Sequence, residues 1–192
     1  MPEKKKVRVK VKKRKLKVKK IIICLLILIL MILAFWYINN LPIKNIYIIG
    51  NNIISDKEII NEAGLSNYPS FIKTYFIDIK TKLKANPYIK DVHIKRKMFN
   101  KIYLEIEEYR PLFIYQDKLV LSSSKKVDNK YMIDYVPYIT NDITSIYTRF
   151  IEKFNIVNDD ILLKISHIEY APNEVDKERF IFHMVDSNYV YI

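Results

Sequence analysis

Apolar and polar residues alternate along this chain with three different periods, and each period predicts a different kind of element. Residues 21–38 (IIICLLILILMILAFWYI) form an unbroken run without a charged side chain. As a helix rising ~1.5 Å per residue, the run spans ~27 Å, close to the ~30 Å hydrocarbon core of a bilayer. Thirteen of its 18 residues are Ile, Leu or Phe, which favours insertion by an amount on the order of 4–8 kcal/mol. Pro42 stops the helix. Residues 43–49 (IKNIYII) then predict a strand, and Gly50-Asn51-Asn52 a turn.

A helix over 56–63 follows. Ser55 and Glu58 have the spacing of a capping box, Ile54 and Ile59 that of a hydrophobic staple, and Gly64 with Leu65 that of a Schellman ending against Ile60. Phe71, Ile72, Tyr75, Phe76, Ile79 and Leu83 predict a second helix, beginning near Ser70 or only at Asp78 and ending before Asn86-Pro87. Residues 88–97 and 102–107 alternate with period two, as a hairpin with one buried face does. The order over 42–110 is strand, helix, helix, strand, strand.

Beyond residue 111 the pattern predicts short strands at 112–115 and 118–121, a polar connection at 122–126, a helix from about 142 to 155 capped by Asp142 or Thr144, and strands at 165–170, 179–185 and 189–192. The fold class is therefore α+β: a basic tail (1–20), a single N-terminal transmembrane helix (21–38), an α+β domain (42–110) and a second, β-rich domain (111–192). This last domain stops four residues into a strand, and it is expected to be incomplete at its C-terminus.

Charge sharpens this outline. The whole chain carries 33 Lys and Arg against 21 Asp and Glu, a net charge of +12. Twelve of the bases and one acid fall in residues 1–20, leaving 21 bases and 20 acids elsewhere, so the tail holds +11 and the body +1. A globular nucleic-acid binder with a basic face is not partitioned in this way. Next to the apolar run, the tail predicts a cytoplasmic N-terminus by the positive-inside rule. Lys19 and Lys20 then anchor one interface and Phe35, Trp36 and Tyr37 the other. A cleaved signal peptide is disfavoured because Ala34 stands alone before Phe-Trp-Tyr. A lipoprotein is disfavoured because Cys24 lies at the start of the run, not at its end.

Only two glycines occur, Gly50 and Gly64, which excludes nucleotide folds built on glycine-rich phosphate loops. The single cysteine, Cys24, excludes an intrachain disulfide and a cysteine zinc cluster.

The stretches IKNIYIIGNNIISDKEIINEAGL and FIDIKTKLKANPYIKDVHIKRKMFNKIYLEIEEYRPL resemble the POTRA domain of the FtsQ/DivIB family of bacterial cell-division proteins. The resemblance rests on Gly50-Asn51, Ser55-x-x-Glu58, Ala63-Gly64-Leu65, Asp78, Leu83, Pro87-Tyr88-Ile89, Val92, Arg96 and Glu108-x-Arg110-Pro111. A basic tail and one membrane span are also that family's layout. ISHIEYAPNEVDKERFIFHMVDSN resembles the family's β domain, although Ser187 stands where the family usually has Gly, so a longer or looser turn is expected there. The resemblance implies a non-enzymatic scaffold of the division septum. Its implied partners are FtsB/DivIC-like and FtsL-like proteins and a septal peptidoglycan synthase. The strand Tyr189, Val190, Tyr191 and Ile192 is the candidate partner-binding segment.

Candidate chemistry is sparse. His93, His167 and His183 lie on three predicted strands without metal-ligand spacing, the Ser122-Ser123-Ser124 run lacks a positioned base, and neither a catalytic site nor a cofactor is expected. Glu105 and Glu107 share a strand face ~7 Å apart. They keep open the alternative of a membrane-anchored cell-wall hydrolase or sensor, although they are expected to face Lys95 and Lys97 of the hairpin partner. A membrane-tethered nucleic-acid binder acting through the tail is the third alternative.

Overall fold

The computed structural model describes residues 17–97 and 100–192; most of the basic tail lies outside the described residues. Helix α1 (Val18–Asn39) contains the whole apolar run, and none of its residues is buried by the rest of the chain. Among the described residues it is the one helix long and apolar enough to cross a membrane.

A three-stranded sheet follows, built from β1 (Asn45–Ile49), β2 (Ile89–Lys97) and β3 (Lys101–Glu108) in the order β1-β3-β2. β1 runs parallel to β3 and β2 antiparallel to it. Helices α2 (Asp56–Glu62) and α3 (Phe76–Lys84) connect β1 to β2. Their buried side chains Ile59, Ile79 and Leu83 share one apolar core with Val92, Ile102, Leu104 and Ile106 of the sheet.

The local signals of α2 are realised with one exchange. Ser55 Oγ accepts from Glu58 N–H at 3.3 Å. Gly64 sits at φ +72°, and Leu65 N–H reaches Ile60 O at 2.9 Å, which completes the Schellman ending. The Glu58 carboxylate, however, turns away from its own helix to Lys130 and Tyr131 of the next unit. The α3 helix begins at Phe76, between the two predicted starts, because residues 70–74 form an irregular turn instead. Lys95 pairs with Glu105, while Lys97 lies over the Tyr103 ring rather than beside a carboxylate.

The second sheet has seven strands in the order β10-β9-β8-β7-β4-β5-β6. They are β4 (Pro111–Tyr115), β5 (Lys118–Leu121), β6 (Lys126–Asp128), β7 (Tyr138–Ile139), β8 (Ile165–Tyr170), β9 (Phe180–Met184) and β10 (Tyr189–Tyr191). A 3-10 turn (Thr144–Ile146) leads into α4 (Tyr147–Phe154), and α5 (Asp159–Leu162) follows. Phe150 and Phe154 of α4 pack edge-on against Phe113, at ring separations of 5.3 and 5.6 Å, and extend the cluster to Phe180 and Phe182. The β4–β5 turn places Gln116 and Asp117 at φ +53° and +59°, as a two-residue hairpin demands.

Candidate partner-binding edge and inter-unit joint

Among the described residues, β10 is the last strand at one end of the large sheet. β10 pairs with β9 alone, in the register Tyr189↔His183, Val190↔Phe182 and Tyr191↔Ile181. Phe180 and Ile192 exchange both backbone bonds, at 2.7 and 3.0 Å. In an antiparallel ladder such pairs alternate. Residues 188, 190 and 192 therefore face β9, whereas Tyr189 and Tyr191 turn their N–H and C=O groups outward. The predicted segment Tyr189–Ile192 is thus a sheet edge, with all four side chains exposed. Ser187 at φ +69° lets the β9–β10 connection close as a turn longer than two residues, with Ser187 N–H on Met184 O and Met184 N–H on Asn188 O.

Behind this edge, Phe150, Phe180, Phe182 and Ile192 line an apolar cavity of about 270 Å³ between α4 and β9. Its mouth carries Arg149 and Lys153, both paired with Glu178. On the opposite face of the sheet the row of aligned side chains Tyr189, His183, His167 and Tyr138 crosses four strands. His167 and His183 stack at 4.1 Å, and Tyr138 stacks on His167 at 5.3 Å. Burial, followed by the neighbouring His183, pushes the His167 pKa down. Strand register, absent from the sequence, brings these two histidines together; the spacing of 16 residues carries no signal for it.

The other histidine, His93, lies on β2 near Asp91 and Glu107. Among the described residues no group of three or more His, Cys, Asp or Glu side chains is arranged to hold a metal ion. Glu105 and Glu107 occupy the outer face of the small sheet, where Lys95 and Lys90 pair with them at 3.4 and 3.3 Å. Ser122 Oγ accepts from Arg110 N–H, a contact across the ends of β4 and β5.

The Glu108-x-Arg110 motif proves to be the joint between the two units. Glu108 accepts three backbone N–H groups of the β1–α2 turn: Asn52 at 2.9 Å and Ile53 at 2.8 Å on Oε2, and Ile54 at 2.9 Å on Oε1. Two residues on, Arg110 donates in the other direction, to Val157 O at 2.8 Å, Asn155 O at 2.7 Å and Asp159 Oδ1 at 2.7 Å. A second contact joins the units at their side. Tyr131 meets Tyr88 edge-on at 4.8 Å, Tyr131 Oη donates to Glu58 at 3.0 Å, and Tyr88 Oη donates to Asp128 O at 2.7 Å. Hydrogen bonding by Lys130 holds the Glu58 carboxyl below its ordinary pKa, against the opposing effect of burial.

A β-α-α-β-β unit of this topology, following an apolar helix of membrane-spanning length and leading into a β-rich unit, has the arrangement of a POTRA-type domain. The family model for the FtsQ-type POTRA domain matches residues 41–109. The chain is 24% identical over 160 residues to the cell division protein DivIB of Brevibacillus brevis, covering 77% of this chain and 60% of that one. It is 26% identical over 149 residues to DivIB of Bacillus anthracis, covering 74% and 56%. Over 77 residues it is 34% identical to DivIB of Clostridium tetani, covering 40% and 29%. Residues 41–109 thus match an FtsQ-type POTRA domain and the chain is similar to DivIB proteins; it spans about 60% of the length of the first of these relatives. Among solved structures, the major extracytoplasmic domain of DivIB from Geobacillus stearothermophilus aligns with a TM-score of 0.38 at 15% identity, covering 45% of this chain and 79% of that one.

Proposed function

We propose that the protein is a non-enzymatic divisome scaffold at the division septum. In this reading α1 crosses the cytoplasmic membrane with residues 1–20 inside, Lys19 and Lys20 mark the inner interface, and Phe35, Trp36 and Tyr37 mark the outer one. Residues 42–110 and 111–192 then act as two outward modules, POTRA and β domain. The similarity to DivIB proteins, the match to an FtsQ-type POTRA domain and the apolar helix support the membrane anchor and the role in cell division. The partners are FtsB/DivIC-like and FtsL-like proteins, through which a septal peptidoglycan synthase is engaged.

The observation that carries the binding mode is the outward backbone of Tyr189 and Tyr191, which pairs with no other strand among the described residues. Such an edge accepts an extended segment as one more strand. Main-chain bonds supply affinity, and the tyrosine rings with the cavity beside Ile192 supply selectivity. The test is binding of the chain to a DivIC-type ectodomain. Tyr191→Pro removes one outward donor and leaves the β9 ladder intact, so it is expected to weaken the complex at least tenfold. Unchanged affinity in this variant, with folding preserved, refutes strand addition at β10.

A further inference from the structure

The segment between α2 and α3 is tied to the outer end of the membrane helix. Ser70 Oγ donates to Asn39 O at 2.5 Å, Phe71 N–H to Leu41 O at 2.8 Å and Ile43 N–H to Pro69 O at 3.0 Å, while Lys73 Nζ reaches Asn40 Oδ1 at 3.1 Å. The apolar run ends at Ile38. The four residues from there to Pro42 reach no more than ~14 Å even when fully extended, and the polar layer of a bilayer is ~5–8 Å deep on each side. Ser70 and Phe71 bind Asn39 and Leu41, one and three residues past that end, so residues 69–73 are held at the headgroup level of any membrane that α1 crosses.

What this segment exposes is suited to that level. Tyr68 and Tyr75 are 61% and 66% exposed, and Ile72 is 42% exposed. Tyr68 adopts φ +47°, a left-handed conformation that is unfavourable for a bulky aromatic, and still presents its ring to the outside. The segment is also braced by a side chain of β2. The Arg96 guanidinium stands over the Phe71 and Phe76 rings at 4.9 and 4.4 Å and donates to Thr74 O.

The charge at this end is one-sided. Lys44 N–H binds Asn100 O at 3.0 Å and Asn45 aligns with Lys101, so the base of β1 and the start of β3 lie together. Residues 39–45, 66–78 and 96–104 hold five bases, Lys44, Lys73, Arg96, Lys97 and Lys101, and one acid, Asp78. Tyrosine and isoleucine side chains within a field of lysines form an interfacial surface for anionic lipid.

We propose that Tyr68, Ile72 and Tyr75, with Lys44 and Lys73, dock the POTRA domain onto the anionic phospholipid headgroups of the leaflet from which α1 emerges. This proposal rests on α1 spanning the membrane. The domain then lies against the bilayer at a set angle.

The test is nitroxide accessibility in the full chain, reconstituted in vesicles of phosphatidylglycerol and phosphatidylethanolamine. Single labels are introduced by Leu30→Cys, Ile72→Cys, Tyr75→Cys and Val175→Cys in a Cys24→Ser background. Oxygen, which partitions into the bilayer, is compared with a water-soluble nickel chelate. The expected oxygen-to-nickel ratio is highest at 30 and several-fold higher at 72 and 75 than at the fully exposed position 175. Lys44→Glu with Lys73→Glu should return 72 and 75 to the level of 175 without changing position 30. Labels at 72 and 75 as wet as 175, with 30 dry, overturn the docking surface and leave the anchor standing. A wet label at 30 removes the anchor and the docking surface together. Dipolar broadening between labels on separate copies assigns the patch to self-association and overturns the lipid assignment.

Discussion

Removal of the Glu108 carboxylate strips three backbone donors of their acceptor at once. Asn52 N–H is exposed, and water replaces its partner at little cost, but the N–H groups of Ile53 and Ile54 are partly buried. An unsatisfied buried donor costs ~1–3 kcal/mol, so Glu108→Ala is expected to destabilise by ~2–5 kcal/mol. That is a large part of the ~5–15 kcal/mol that holds a typical domain together. Glu108→Gln keeps the shape and one acceptor oxygen but loses the charge, and should fall between wild type and Ala. The control is its neighbour on the opposite face. Glu107 pairs with Lys90 in the open, where a surface ion pair contributes ~0–1 kcal/mol. Urea unfolding in micelles provides the assay. With a slope of ~2 kcal/mol/M, a loss of ~3 kcal/mol lowers the midpoint by about 1.5 M. Amide exchange at Ile53 and Ile54 localises the effect, because their protection should collapse first. An Ala variant no less stable than Glu107→Ala, with both amides still protected, refutes the reading of Glu108 as the clamp of the β1–α2 turn.

Gly50 has φ +86°, and a Cβ there would stand 2.4 Å from Ile106 O; Gly50→Ala should cost roughly 2–4 kcal/mol, read as a lower urea midpoint. Arg110→Lys retains the charge but not the fork that reaches Asn155 O, Val157 O and Asp159, and should cost about 1–3 kcal/mol, with faster amide exchange around α5. His167 has a folded pKa below its ordinary 6.5, so the unfolded chain takes up the proton first. Its contribution is complete above pH 6.5 and declines as the pH drops toward the folded value. The stability of the wild type should therefore fall from pH 7 to pH 5 more than that of His167→Phe, measured as urea midpoints; parallel pH profiles contradict this.

Much of the small α+β unit was legible because its signals are local. Ser55, Gly64 and Pro87 act within a few residues of themselves, and the alternation of Ile102, Leu104 and Ile106 selects a buried face through the period of the strand alone. Elements that depend on distant partners were harder to read. β6 is three residues long and exists because Leu119 and Val120 of β5 offer it an edge. The four-residue α5 is nearly too short to form by itself; Asn158 caps it, and Arg110 binds its first carboxylate. Residues 70–74 carry a helical apolar period, yet the tether to α1 and the Arg96 side chain hold them in a turn.

Amino-acid order alone determined the membrane-length helix, the sign and position of the charge, and the β-α-α-β-β order, since each depends on composition or on contacts between near neighbours. Tertiary structure decided which residues meet: Glu58 leaves its capping box for Lys130, Glu108 and Arg110 divide their bonds between two units, and His167 stacks on His183. The same holds for the place of β10 at the end of the strand order among the described residues, because which neighbours a strand has is a property of the assembled sheet and not of the residues that form the strand.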